Sequence, residues 1–275
     1  MEDRRPVRGV MFDAGGVLTR PVGGRWNPRY DFERIVAKHH PHLRTELFER
    51  AFTAGQRFLD ASTVTADRTA YHRTILTALG IPNPSERLLT ELEAPAAGPV
   101  IELYPDVRPV LEQLRRWDVR MSVVSDNWAG LEATFAGLDV GHYFAGFAIS
   151  ELLGCRKPDP RMYAEGSRLL GLEPRDCLFV DDDPELVAAA LRLGYRGVTL
   201  NRDTDDPAGS GVTLDRDADD PAGSGVTLDR DTDDPAAGGV IGSLRQVLSL
   251  SRPWPAPRPG SPATPAGPAA PPPPP

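Results

Sequence analysis

Cysteine is nearly absent. Cys155 and Cys177 are the only two among 275 residues and follow no repeated spacing, which excludes a disulfide framework. Long hydrophobic runs are missing as well. Each apolar stretch is short and broken by charge, so none is long enough to cross a bilayer, and a membrane role is not expected. The charged start MEDRRPVRG leads into a short apolar segment without a signal-peptide pattern, and with so little cysteine the expected compartment is the cytoplasm. Excess positive charge is lacking too. The net charge is −8, and residues 197–238, with eleven Asp against three Arg, account for −8 by themselves. The rest of the chain is balanced, so charge gives no support to a nucleic-acid partner.

What is present is enough apolar sequence, 40% of residues, for one α/β core and a smaller appended unit. The clearest organisational feature is a tandem repeat: GVTLNRDTDDPAGS (197–210), GVTLDRDADDPAGS (211–224) and GVTLDRDTDDPAAG (225–238). Its copies hold only Val and Leu as large apolar residues and are too short to stack into a solenoid, so the repeat reads as an acidic insertion. The aspartate runs lack the glycine and distal glutamate of an EF-hand loop, and a solvated acidic loop is expected rather than a calcium site. A short amphipathic segment, 240–250, precedes a tail over 251–275 with twelve prolines, read as a disordered polyproline-like extension. Neither repeat nor tail is expected to contribute to catalysis.

From residue 7 to 200, short apolar runs alternate with helical periodicity, the pattern of βα units and a parallel sheet. The runs are 7–12, 121–124, 177–180 and 195–200. Val107, Val110, Leu111 and Leu114 fall at helical spacing, while Asp159-Pro160 and Asp183-Pro184 each read as an N-cap followed by proline at the first helical position. The fold class is therefore α/β, a doubly wound, Rossmann-like parallel sheet. Residues 22–99 show no such strand runs. Their apolar residues (Phe32, Ile35, Val36; Leu47, Phe48, Phe52; Tyr71, Ile75, Leu79) suggest an inserted helical subdomain, leaving residues 1–21 and 100–250 for the core.

In an open α/β sheet, ligands bind beyond the carboxyl ends of the strands. The polar residues at those places are Asp13 after GVMF, Ser125 after MSVV, Lys157 in CRKPDP, and Asp181-Asp182-Asp183 after CLFV. A carboxylate can attack phosphorus, a cation held by carboxylates can shield the incoming anion, and a hydroxyl and an ammonium can hold phosphoryl oxygens. Asp183 is read as a helix N-cap, which leaves Asp181 and Asp182 as adjacent like charges that call for a cation.

Taken in order, FDAGGVLT (12–19), VVSDN (123–127), RKPDPRMY (156–163) and FVDDDPELVAAALRLG (179–194) resemble the four motifs of the haloacid dehalogenase superfamily. The resemblance implies a hydrolase with Asp13 as nucleophile, Ser125 binding the transferred group and Lys157 steadying its charge. It further implies Asp126 and Asn127 beside the substrate, and Mg2+ held by Asp13, the Gly15 carbonyl, Asp181 and Asp182. The segment 22–99 matches the cap that closes over the site in this family. The expected substrate is a small phosphate ester, with oligomeric state left open.

One departure stands out. Phosphatases of the family usually carry a second Asp two residues after the nucleophile, and here that position is Gly15. Losing such an acid/base costs roughly 10² to 10⁴ in rate for a poor leaving group. Related members with DxGGVL-like first motifs are nonetheless regarded as phosphatases. Two other readings stand beside phosphomonoester hydrolysis: 2-haloacid dehalogenation, whose enzymes typically carry an aromatic residue at this place, and a catalytically weakened member that binds a phosphorylated ligand or partner. The cluster His39, His40 and His42 is read as an exposed helix end rather than a zinc site. Arg25, Trp26 and Arg29, where the chain enters the helical segment, are assigned by default to packing and surface charge.

Overall fold

A computed structural model describes residues 6–202 and 237–251. The chain starts with β1 (Gly9–Phe12), whose four residues are all buried, and then turns into the short β2 (Thr19–Pro21). Four helices follow: α1 (Phe32–His39), α2 (Leu47–Asp60), α3 (Arg68–Ala78) and α4 (Glu86–Glu93). The return strand β3 (Ile101–Leu103) pairs antiparallel with β2, Thr19 opposite Leu103, so a two-stranded ribbon ties together the points where the chain leaves and re-enters the core. The remaining elements are α5 (Val107–Arg116), β4 (Arg120–Ser125), α6 (Leu131–Gly137), β5 (Phe147–Ile149), α7 (Ser150–Leu153), α8 (Pro160–Leu170), β6 (Cys177–Asp181), α9 (Pro184–Arg192), β7 (Arg196–Leu200), β8 (Ala237–Ile241) and α10 (Gln246–Ser251).

Six strands form one sheet in the order β5-β4-β1-β6-β7-β8, and all five pairings are parallel. A parallel sheet needs both faces covered, and its strands accordingly read as continuous apolar runs. On one face Val107, Val110, Leu111 and Leu114 of α5 are fully buried against Val10, Phe12, Val123 and Val198. On the other, Met162 and Tyr163 of α8 and Val187 and Ala190 of α9 pack on Met11, Val124 and Phe179. Each fully buried side chain of this kind contributes about 1.5–3 kcal/mol, which holds the strand ends in register. Helices α1–α4 have an apolar cluster of their own, centred on Phe32, Ile35, Tyr71, Ile75 and Leu88. The two Asp-Pro helix starts are as expected: Asp159 accepts from the Arg161 amide and Asp183 from the Glu185 amide.

Two expectations are corrected. The insertion does not begin at residue 197, because Gly197–Leu200, the start of the first repeat copy and the end of the apolar run 195–200, belong to β7, which sits in the sheet between β6 and β8. The end of the third copy likewise supplies Ala237 and Gly238 to β8, so the amphipathic segment from Val240 onward is a strand end followed by α10, not one continuous element. Residues 203–236, with the aspartate runs, and 252–275, with the proline-rich tail, lie outside the described residues, whereas Ser251 is buried at the end of α10. No helix among the described residues is long and apolar enough to cross a membrane.

Candidate active site

Parallel strands bring their carboxyl ends to one edge, and the chain places a polar residue at each of the three central ones. Phe12 of β1 is in register with Val123 of β4 and Val180 of β6, so Asp13, Ser125 and Asp181 emerge side by side. The Asp13 amide extends the ladder by donating to the Val180 carbonyl at 2.9 Å. Lys157 reaches this edge from the loop before α8. Its Nζ donates to Asp13 Oδ1 at 2.7 Å and to Asp181 Oδ2 at 2.6 Å, with the side chain 2% exposed. Asp181 Oδ1 accepts from the Asp183 amide at 2.9 Å, so both of its oxygens are engaged.

Carboxylate oxygens of Asp13, Asp181 and Asp182 lie within 4.8 Å of one another. Against these three negative groups stands one ammonium, so the cluster is short of positive charge. Burial drives the Asp13 carboxyl well above its ordinary range, Lys157 opposing and the neighbouring Asp181 and Asp182 adding to the rise. Asp182 is raised for the same reasons, burial first and Asp181 next. For Lys157, burial works against the charged form, yet Asp13 and Asp181 outweigh it and hold the ammonium above its usual pKa. An additional cation would relieve the crowding of carboxylates.

The loop after Asp13 is closed locally: Leu18 and Thr19 amides and the Thr19 hydroxyl all donate to the Ala14 carbonyl. Gly16 in this turn has φ +72°, and a Cβ there would overlap the Asp182 carboxylate, so the close approach of the two loops requires glycine. Gly15 has a different neighbour. A Cβ on it would meet Trp26 Cζ2 at 3.3 Å, which means the indole covers the place where the family's second Asp would project. Trp26 is 45% exposed, and it lines the site cavity rather than the core, contrary to its default assignment.

That cavity, of about 810 Å³, is bordered by Asp13, Ser125, Lys157, Asp181 and Asp182 together with Asn127 and Trp26. Asp126 also borders it, but its Oδ1 accepts from the Lys157 amide at 3.0 Å, so this carboxylate holds the Lys157 loop. Asn127 Oδ1 accepts from the Trp128 amide at 2.8 Å and fixes the turn after β4. Elsewhere, His39 Nε2 pairs with Glu91 Oε2 at 2.9 Å and ends α1, while Arg25 and Arg29 are engaged by Glu33 and Asp31.

One residue of this region was missed in the sequence. Arg202, from the first repeat copy, donates through Nε to the Gly16 carbonyl at 3.1 Å and through a terminal nitrogen to the Val17 carbonyl. It also pairs with Asp106 and lies over the Tyr104 ring, 3.7 Å from its centre. No local signal marks it, since each copy carries an arginine at the same offset. Lys157 did have a further signal: apart from Lys38 it is the only lysine in the chain.

Comparison with known proteins agrees with this geometry. Residues 7–194 match the family model described as haloacid dehalogenase-like hydrolase. The chain is 28% identical over 205 residues to a phosphatase of Mycobacterium tuberculosis, covering 71% of this chain and 88% of that protein. It is 35% identical over 101 residues to a glyceraldehyde 3-phosphate phosphatase of Methanopyrus kandleri, covering 36% of this chain and less than half, 43%, of that relative. Among solved structures it is similar in fold to a 2-haloacid dehalogenase of Pseudomonas syringae pv. tomato, with TM-score 0.57, 20% identity, and 89% of this chain and 97% of the other covered. It also resembles a phosphatase of Thermococcus onnurineus, with TM-score 0.50, 18% identity, and 88% and 97% covered. With the family model spanning well over half of its residues and Asp13, Ser125, Lys157 and the acidic pair brought to one strand edge, the chain belongs to the haloacid dehalogenase-like hydrolases.

Proposed function

We propose that the protein is a Mg2+-dependent phosphomonoesterase that hydrolyses a small phosphorylated metabolite through an aspartyl-phosphate on Asp13. The observation carrying this reading is the cluster of Asp13, Asp181 and Asp182 around the single ammonium of Lys157, open to a cavity of about 810 Å³. Hard oxygen donors short of positive charge suit a magnesium ion. Asp182 is the carboxylate best able to hold it, because both oxygens of Asp181 and one of Asp13 are already engaged, and Asp13, Asp181 and the Gly15 carbonyl complete the proposed set. When bound, the ion would shield the phosphate's charge from the carboxylates and polarise the phosphoryl group.

The chain's own residues account for the rest. Lys157 takes one oxygen of Asp13 and leaves the other to attack phosphorus, the leaving oxygen departing with its bonding electrons as an alkoxide and taking its proton from solvent water. Lys157 and Ser125 hold the phosphoryl oxygens as charge shifts among them. Water then cleaves the acyl phosphate, releasing phosphate and restoring the Asp13 carboxylate. Asp126 fixes the Lys157 backbone. Helices α1–α4 act as the cap, with β2 and β3 as its stem. The names of curated relatives, phosphoserine phosphatase and phosphoglycolate phosphatase among them, support a small phosphate ester as substrate. We place the reaction in the cytoplasm, a reading supported by the unpaired Cys155 and Cys177.

A second reading is favoured by one contact. Trp26 over Gly15 supplies an aromatic surface at the position where dehalogenases of the family carry an aromatic residue. The deciding experiment is hydrolysis of p-nitrophenyl phosphate by purified protein with magnesium or with EDTA, alongside Asp13→Asn and an assay for halide release from 2-chloropropionate. Magnesium-dependent phosphate release that disappears with EDTA and in Asp13→Asn is the expected result. Halide release without phosphatase turnover in folded, metal-supplied protein would replace it with the dehalogenase reading.

A further inference from the structure

A second cavity, of about 610 Å³, lies between α3 and the loop after β4. Gly15, Trp26, Asn27, Asn127 and Trp128 line both this cavity and the one around Asp13, so the two share a wall. From α3 the second cavity is lined by Arg68, Tyr71 and His72. Arg68 and His72 are four residues apart and so lie on the same helix face.

Arg68 forms no ion pair with any described residue. Its guanidinium lies over the Trp128 ring, 4.8 Å from the centre, and that indole is itself fixed by donating from Nε1 to the Ala66 carbonyl at 3.0 Å. A guanidinium stacked on a ring keeps its N–H edge free for an anion and is held in one orientation. The other charged residues lining this cavity are committed: Arg29 to Asp31, and Glu93 to the Thr69 hydroxyl. His72 is 6% exposed, and its Nδ1 is buried without a hydrogen-bond partner among the described residues. Burial keeps this imidazole neutral at ordinary pH, so it offers one donor and one acceptor. A buried polar atom without a partner is costly, and a ligand atom within its reach would remove that cost.

We infer that this second cavity is the leaving-group subsite, and that it takes the alcohol portion of a phosphate monoester bearing a second anionic group, held by Arg68, with a hydroxyl on His72. The inference rests on the phosphomonoesterase reading for the Asp13 site. A cavity of about 610 Å³ suits an alcohol larger than a three-carbon acid. Arg68 serves a carboxylate or a second phosphate equally well, because both present paired oxygens to a planar fork.

The test is calorimetric binding to the full-length, magnesium-loaded Asp13→Asn protein, whose fold is checked by thermal melting. Two matched pairs of esters are titrated: glucose 6-phosphate against 6-phosphogluconate, and fructose 6-phosphate against fructose 1,6-bisphosphate. The expected result is at least tenfold tighter binding of the anion-bearing member in one pair, and the pair that shows it distinguishes carboxylate from second phosphate. Arg68→Gln, added to Asp13→Asn, is expected to abolish that preference and Arg68→Lys to keep part of it, while His72→Gln weakens both members alike. Binding of the two members within twofold of each other, a preference unchanged by Arg68→Gln, or no binding of any of the four esters overturns the inference. An anion preference in a protein that does not hydrolyse p-nitrophenyl phosphate would keep the subsite and remove only the proposed reaction.

Discussion

Arg202 and Asp106, 96 residues apart in sequence, are joined by hydrogen bonds of 3.0 and 3.2 Å between one guanidinium nitrogen and the two carboxylate oxygens. Asp106 also accepts from the Ser243 hydroxyl at 3.1 Å and the Leu244 amide at 2.9 Å. Through Arg202 the same network reaches the Gly16 and Val17 carbonyls of the loop that follows β1. The end of β7, the start of α5, the turn after β8 and the loop after Asp13 therefore meet at one ion pair. Arg202→Ala would leave a mostly buried carboxylate unpaired, and a loss of about 3–5 kcal/mol in urea denaturation is expected. Because Arg216 and Arg230 occupy the same offset in the sister copies, the variant belongs in a chain that retains only the first. A loss under about 1 kcal/mol would show that the network does not hold the loop.

Such a shortened chain follows from the register of β8. Removing residues 209–236 joins Ala208 to Ala237, restores the sequence PAAGGVI and keeps Gly238, whose φ is +97°. With Arg202 anchored at Asp106, the six free linker residues, 203–208, reach up to about 21 Å, just enough to return along a five-residue strand of about 16 Å. Melting temperature and phosphatase rate are expected to stay near those of the full chain. Removing 211–238 instead would put Ser210 at the left-handed position of Gly238, at a cost of about 1–3 kcal/mol. Equal melting temperatures for the two deletions would contradict the assigned register.

Trp26 against Gly15 leads to a prediction about leaving groups. With no acid at position 15, rates should fall steeply as the leaving alcohol becomes less acidic. Gly15→Asp has room only if the partly exposed indole moves, so it is best tested with and without Trp26→Ala. In the double variant, kcat/KM for an alkyl phosphate relative to p-nitrophenyl phosphate is expected to rise at least tenfold, within the range general acid catalysis supplies. An unchanged ratio would mean that a carboxylate at this position does not reach the leaving oxygen.

His72 gives stability a dependence on pH. Burial lowers its pKa from 6.5 to about 4, with Glu93 opposing and Arg68 and Arg29 reinforcing the shift. As pH falls, the unfolded chain takes up this proton before the folded one, so stability present above pH 6.5 is lost on the way down to about 4. Between pH 7 and 4.5 this amounts to about 2–3 kcal/mol. Denaturation curves at those two values should show wild type losing that much more than His72→Gln, whereas equal losses would show that the imidazole is solvated in the folded state.

The sequence by itself determined the features that depend on near neighbours. Val107 to Leu114 reads as a helix with one apolar face, and each Asp-Pro pair caps a helix, because periodicity and capping act within one or two turns. The convergence of Asp13, Ser125 and Asp181 was legible because each stands at the carboxyl end of a mostly apolar buried strand, and parallel strands bring those ends to one edge. The run 195–200 read as a strand, but only tertiary structure decided that it lies between β6 and β8, because pairing partners are distant in sequence. It also decided that the glycine-rich AGGVI is a strand, that Trp26 covers Gly15, and that Arg202 clasps the loop after Asp13. Each of these depends on contact between segments distant in sequence or on the packing of one loop over another, a relation that no spacing of residues records.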